Sequence, residues 1–448
     1  MTLILGLVVP VQGETAAPLP DEPPLGLIWE FNTLDGVGDA GTFISMAVQP
    51  TTGIPHIAYY SIESGLKLAA RTGNGNCGPQ NSWNCTLLAP HSSTEWAGRY
   101  PALAFNSNGE YGVVYQRLSG INRVSVYQTA ANLTILTTPT FPPDRFNGMH
   151  NALVYDNQDQ SHIWSHQSAE ETINESELRY FGSPALLWHD NMYTTKIATS
   201  QNAVGRPAVA YTGYGTGFYP SIFHAEPKTG GNCHNGTWQC TLVNTVGSNP
   251  YEPTQTDIGL ALYQSKCIFG ISCDIPTSIF SYSIQYGALR LAEKIPNTNN
   301  PCFAGDPINL NYDWRCSTLD ISVGWSPKGW QGSLENYWPM GIDVVLHEGR
   351  LIVFYQNFQN PLVAKVMMAY KADVPGTGTC GINNEWYCVV VDDGSRGGGF
   401  VSVGFGLQAE VLPDGRILLA YYDMSNRDLI IAEAELPPSR IYLPLVVR

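Results

Sequence analysis

The amino-acid sequence predicts an all-β fold, a β-propeller of seven four-stranded blades in which a strand from the N-terminus completes the last blade. Three observations carry this. Short alternating apolar segments recur in groups of four, and a Trp-x-Cys signature closes several of the groups. The final group lacks a fourth strand, and the first ordered-looking segment can supply it. Composition agrees: charged residues are 14%, while 44 Gly, 31 Pro and 24 Tyr favour many strands joined by tight turns over long helices.

The clearest unit begins with Ser45 to Val48, turns at Thr51-Thr52-Gly53, and continues through Pro55-His56-Ile57-Ala58-Tyr59-Tyr60. It goes on through Leu66 to Ala69 and ends at Trp83-Asn84-Cys85. The second unit holds Ala102 to Phe105, Gly112 to Gln116 and Arg123 to Gln128. The third holds Asn151 to Tyr155, His162 to His166 and Leu178 to Phe181, and the fourth runs from Ile197 through Pro207 to Tyr211 to Trp238-Gln239-Cys240. The fifth ends at Trp314-Arg315-Cys316 and the sixth at Trp386-Tyr387-Cys388. The seventh holds Ala409 to Leu412, Ile417 to Asp423 and Asp428 to Ala432, with no fourth segment. The segment Leu27 to Asp35 resembles Trp386 to Asp392, so it is expected to close the ring, because an open sheet edge invites aggregation. Six blades are the alternative count, since the third and fourth units are the most degenerate. A pair of β-sandwiches is disfavoured by repeats that run through the middle of the chain without a linker.

The segments Pro55 to Tyr60 and Leu66 to Ala69, with the repeated Trp-x-Cys, resemble repeats of bacterial secreted propellers grouped as sialidase-like (BNR-type). The resemblance spans about Leu25 to Leu436 and implies architecture. The sialidase Asp-box, Ser-x-Asp-x-Gly-x-x-Trp, does not occur, and no arginine triad for a carboxylate can be placed. The tail Ile441 to Arg448 resembles a C-terminal tag of some exported bacterial proteins, with an apolar docking strand as the alternative. The expected organisation is therefore a signal or leader over residues 1–24, a propeller over 25–436 and a tail over 437–448. Leu3 to Val9 is apolar but too short to span a bilayer, and Glu14 to Pro24 is Pro-rich and acidic.

The ten cysteines fall into five local pairs: Cys77 with Cys85, Cys233 with Cys240, Cys267 with Cys273, Cys302 with Cys316, and Cys380 with Cys388. Close pairs in an exported chain argue for five disulfides, and no two pairs have zinc-ligand spacing. No metal and no cofactor are expected. The formal charge of -15 argues against nucleic acid and anionic lipid as partners. A secreted or cell-surface monomer is expected.

Propeller connectivity puts the loops that cross between blades on one face and the Cys-bearing loops on the other. The crossing loops hold the candidate ligand-binding residues Trp96, Arg99, Tyr100, Arg145, His150, Tyr251, Trp325, Trp330, Tyr337 and Trp338. Flat rings flanked by hydrogen-bonding groups suit a sugar or a protein partner. Asp257, Asp343 and Glu335 are the candidate catalytic carboxylates, since a glycosidase needs two acids about 5–9 Å apart. His162 and His166 are too far apart along a strand to grip one ion, and Asp156 to Asp159 reads as a turn. The expected function is ligand binding, of carbohydrate or protein, on the crossing-loop face. Whether the chain is an enzyme stays open at this point, with non-enzyme favoured. The alternatives are a glycoside hydrolase or lyase and a purely structural surface component.

Overall fold

The computed structural model describes residues 27–435 except 120–121, 137–145, 169–175, 182–185, 188–196, 202–206, 215–219, 233–236, 246–257, 262–264, 267–271, 274–276, 284–287, 296–297, 299–300, 304–309, 322, 324–340, 348–349, 361–362 and 396–401. Each repeated group of short alternating segments folds into one antiparallel sheet in chain order, as local pairing requires of strands joined by tight turns. Sheet 1 is built from Ala40–Val48, Pro55–Ser61, Gly65–Arg71 and Trp83–Pro90. Sheets 2, 3 and 4 occupy residues 95–136, 146–187 and 197–245, and sheet 6 occupies 342–392, all with four strands in sequence order. Sheet 7 joins Val403–Val411, Arg416–Asp423 and Asp428–Glu435 to the N-terminal strand Glu30–Asp35.

Sheet 5, residues 258–320, departs from the pattern. Its order places Pro301–Phe303 outside Leu310–Asp320 as a fifth strand, and a separate two-stranded ribbon joins Ser265–Lys266 to Ser272–Cys273. Regular four-stranded blades therefore number six, where the sequence predicted seven. The reason is loop length. Cys302 and Cys316 are 14 residues apart, against 8 in the pairs of sheets 1 and 6, so the spare chain forms a strand of its own.

The innermost strands neighbour one another in a closed circuit, from Ala40–Val48 through the first strands of sheets 2 to 6 to Val403–Val411 and back. The ring is closed as the sequence predicts. Phe31 pairs with Ala432, Asn32 with Ile431 and Thr33 with Ile430. Across the seam between sheets 7 and 1, Lys67 Nζ reaches Asp35 at 2.7 Å, Arg71 pairs with Glu433, and Tyr422 Oη donates to Asp39 at 2.7 Å.

Trp-x-Cys now has a physical meaning. The Trp lies on an outer strand, as its first residue at Trp238 and Trp386 and inside it at Trp314, and wedges against the preceding sheet. Trp386 meets Phe280 edge-on with ring centroids 6.1 Å apart, Trp314 meets His224 at 5.5 Å, and Trp238 meets Trp164 at 6.0 Å. Trp29 does the same against Phe354 at 6.0 Å, which identifies it as the equivalent residue of sheet 7. The Cys braces the loop behind the Trp. Cys77–Cys85, Cys302–Cys316 and Cys380–Cys388 are disulfides, and Cys240 is also disulfide-bonded. Cys233 and Cys267 lie outside the described residues. In two of the loops an asparagine before the first Cys imitates a strand: Asn76 Oδ1 accepts from Cys85 N at 2.7 Å, and Asn232 Oδ1 from Cys240 N at 2.8 Å.

A second device fastens neighbouring sheets. The last residue of an outer strand is an aspartate that accepts from a tyrosine on the second strand of the next sheet. Tyr59 Oη donates to Asp35 at 2.8 Å, Tyr355 Oη to Asp320 at 2.6 Å, and Tyr421 Oη to Asp392. Burial first, then the facing carboxylate, pushes the Tyr59 and Tyr355 hydroxyls up, so both remain donors throughout the accessible pH range. Asp320→Ala is expected to cost about 2 kcal/mol, because the Tyr355 hydroxyl would stay buried with its acceptor gone. Urea unfolding checks this, and a loss within about 0.5 kcal/mol would remove the latch as a stabilising element.

Candidate functional site at the channel mouth

The latch sets a common register for the inner strands. Tyr59, Tyr355 and Tyr421 occupy one place in their sheets, so Ser45, Asp343 and Gln408 are equivalent, and so are Ala47, Val345 and Glu410. The inner strands of sheets 1, 2, 3 and 7 also carry an irregularity at their crossing-loop end. Pairing slips between Ala40 and Ile44, Arg99 and Ala102, Met149 and Ala152, and Phe405 and Gln408. Glycines with φ of 97° at Gly41, 107° at Gly98 and 94° at Gly404 open the bulges. A side chain at Gly98 would place its Cβ 2.6 Å from Leu66 N, so that site requires glycine. Two residues beyond these glycines lie Phe43, Tyr100 and Gly406, and His150 holds the same place in sheet 3. Tyr100 and His150 have φ of 52° and 50°, a left-handed backbone that bulky residues rarely adopt. A bulge re-aims the residue it carries. Here it brings rings from successive sheets together: Phe43 and Tyr100 lie 4.3 Å apart, and Tyr100 and His150 lie 4.8 Å apart.

These rings border a channel cavity of about 820 Å³ between the inner strands. Its wall is two-sided. Phe43, Tyr100 and His150 line the side of sheets 1 to 3. On the side of sheets 6 and 7 Gly406 lines it at the equivalent place, and Asp343, Gln408 and Glu410 lie below. Ser45 and Asp343 perform one task in different sheets. Ser45 Oγ accepts from Leu103 N at 2.9 Å, and Asp343 Oδ2 accepts from Ala409 N at 2.8 Å, each bracing the next inner strand. Asp343 Oδ1 also accepts from its neighbour Val344 N at 2.9 Å. Burial, with the Asp343 charge second, pushes the Glu410 carboxyl up to about 8, so Glu410 carries its proton at neutral pH.

Beside the rings, on the crossing-loop face between sheets 1 and 2, Trp96 is 44% exposed. Arg99 stands 5.7 Å from the centroids of both the Trp96 and Tyr60 rings, and His91 stands 5.4 Å from Trp96. Ala97 N donates to His91 Nδ1 at 3.1 Å, and burial holds the His91 imidazole below its ordinary pKa.

Of the candidate residues read from sequence, Tyr100, His150 and Asp343 line the cavity, while Trp96 and Arg99 lie outside its wall, with Arg99 against Tyr60. Tyr100 and His150 are buried side chains of the cavity wall and are not freely exposed rings. Arg145, Tyr251, Asp257, Trp325, Trp330, Glu335, Tyr337 and Trp338 lie outside the described residues. Phe43, Gln408 and Glu410 were not singled out from sequence. The available signal was the glycine two residues before a variable position, in Gly41-Thr42-Phe43, Gly98-Arg99-Tyr100 and Gly404-Phe405-Gly406. Asp156, read as a turn residue, accepts from Gln158 N at 2.8 Å and Gln160 N at 2.9 Å, as an Asx turn does.

No family model and no curated protein matches the chain. Solved structures do resemble it. AofleA from Arthrobotrys oligospora is 9% identical, with 81% of this chain and 92% of that chain covered and a TM-score of 0.40. The Hadza microbial sialidase Hz136 is 10% identical, with 87% and 75% covered and a TM-score of 0.43. The SapL1 lectin, solved with alpha methyl fucoside, is 10% identical, with 80% and 98% covered and a TM-score of 0.36. At these scores the likenesses carry no argument about what this chain binds.

Proposed function

We propose that this chain is an exported carbohydrate-binding propeller whose ligand enters the channel from the crossing-loop face. One observation carries the reading: a single cavity has aromatic rings on one wall and hydrogen-bonding groups with bare glycine backbone on the other. A sugar has an apolar face of C–H groups and an edge of hydroxyls, so it needs those two walls. The disulfides support folding in an oxidising compartment. Binding is preferred to hydrolysis because Asp343, the described member of the expected catalytic set, has both oxygens engaged by backbone N–H groups, the task Ser45 performs elsewhere.

A glycan array of the full chain is expected to show capture of a defined glycan class. Trp96→Ala is expected to weaken that capture about tenfold, the worth of a lost stacking ring, and Tyr100→Ala by a similar factor, because removing a buried ring of the wall reshapes the cavity. Capture unchanged in both variants would move the site elsewhere. Capture of no glycan, with the folded state intact, would favour the structural-component reading.

A further inference from the structure

We infer that the ligand is a neutral oligosaccharide chain with equatorial β-1,4 links, one sugar of which lies in the channel mouth while a later one stacks on Trp96 outside the cavity. The inference rests on the carbohydrate reading above and narrows it to a chain that occupies two places.

Trp96 is set apart from the other tryptophans. It is 44% exposed, whereas Trp83, Trp164, Trp238, Trp314 and Trp386 are buried. A large ring left in water forgoes the stabilisation that burial would give. This ring is also held in place. His91 stands 5.4 Å from it and Arg99 5.7 Å. The loop before it is closed by Ser92, whose Oγ accepts from Glu95 N at 3.0 Å and whose N–H donates to Glu95 O at 2.9 Å. His91 is fixed in turn: its Nδ1 accepts from Ala97 N at 3.1 Å, and its backbone N–H donates to Ser64 O at 3.0 Å. A platform ordered before the ligand arrives loses little entropy on binding.

The platform continues the cavity wall. Trp96 and Tyr100 lie on one inner strand, Glu95–Phe105, four residues apart, on the order of 13 Å at strand rise and shortened by the bulge between them. Rings fill that interval from below. Phe43 of the wall lies 6.0 Å from Tyr60, and Tyr60 lies 5.6 Å from His91. Arg99 spans the same gap, 5.7 Å from the centroids of both Trp96 and Tyr60. One sugar ring cannot touch both the wall and Trp96, but a short chain can. Equatorial β-1,4 links keep successive sugars extended with their C–H faces open, whereas α-1,4 links curl the chain off a straight track. Charge favours a neutral sugar. Glu95 is paired with Arg117 at 2.6 Å, Arg99 lies over ring faces, and the net charge of -15 repels an acidic glycan.

Calorimetric titration of the full chain with neutral β-1,4-linked gluco- and manno-oligosaccharides, from the disaccharide to the hexasaccharide, tests this. In one of the two series affinity is expected to rise at least about tenfold between the disaccharide and the tetrasaccharide, the worth of one added stacking contact. Trp96→Ala is expected to remove that rise while binding the disaccharide as the parent does. Trp96→Phe keeps a ring and is expected to retain most of the rise. The α-1,4-linked gluco-oligosaccharides are expected to show none. A rise that survives Trp96→Ala, an equal rise in the α-linked series, or a disaccharide weakened by Trp96→Ala as much as the tetrasaccharide would overturn the inference and leave the carbohydrate reading standing. Affinity independent of length in both β-linked series, or binding of neither series while another glycan is captured on the array, would do the same. Binding of neither series, with no glycan captured on the array, would overturn both.

Discussion

Glu410→Gln is expected to leave the protein about as stable as the parent at pH 5 and to make it more stable at pH 8. The carboxyl has an ordinary value of 4.5 and is raised to about 8 in the fold. A raised carboxyl favours the protonated state in the native protein. Below the unfolded value both states hold the proton and there is no penalty. As pH rises from 4.5 towards 8 the unfolded chain releases the proton and the native chain does not, so native stability falls by about 1.36 kcal/mol per unit. Channel water solvates part of the side chain, so a discounted total on the order of 3 kcal/mol is expected at pH 8. Glutamine has no proton to lose and removes that alkaline limb. Urea unfolding of both proteins at pH 5, 6.5 and 8 checks the sign and the slope. Two parallel stability curves would show that Glu410 is not buried as described.

Trp386→Ala is expected to cost about 3–5 kcal/mol, the usual range for a large aromatic removed from a core. Trp386 is 5% exposed and fills the boundary between sheets 5 and 6 against Phe280. The disulfide Cys380–Cys388 holds the loop behind it, so the cavity has little freedom to collapse. Val390→Ala on the same outer strand, at a side chain 46% exposed, is expected to stay within about 0.5 kcal/mol. Comparable losses for the two variants would show that the Trp wedges do not hold the sheets together.

Much of the architecture was legible because it is local. Alternation over five or six residues marks a strand, and the glycine- and asparagine-rich turns set pairing with the next strand. The missing fourth segment of the last unit and the spare Leu27 to Asp35 together dictated ring closure, which the pairing of Phe31 with Ala432 fulfils. The five-stranded form of sheet 5 was not legible, because a 14-residue disulfide loop can fold in several ways.

The site was only partly legible. Trp96, Arg99, Tyr100 and His150 could be assigned to the crossing-loop face from connectivity alone. That the Tyr100 and His150 rings meet follows from a bulge whose backbone direction depends on packing beneath it, as at Gly98 over Leu66.

By itself the sequence determined the all-β class, the ring with its N-terminal closure, and the position of the disulfide loops on the face away from the mouth. The strands and disulfide loops follow from contacts between neighbours in the chain, and the closure follows from a last unit short of one strand with a spare strand at the N-terminus. Only the tertiary structure decided that Asp343 braces Ala409 across 66 residues and that Glu410 shares a channel wall with it. Proximity between separate sheets, and the loss of water that shifts a carboxyl, exist only once the ring has closed and the inner strands face one another.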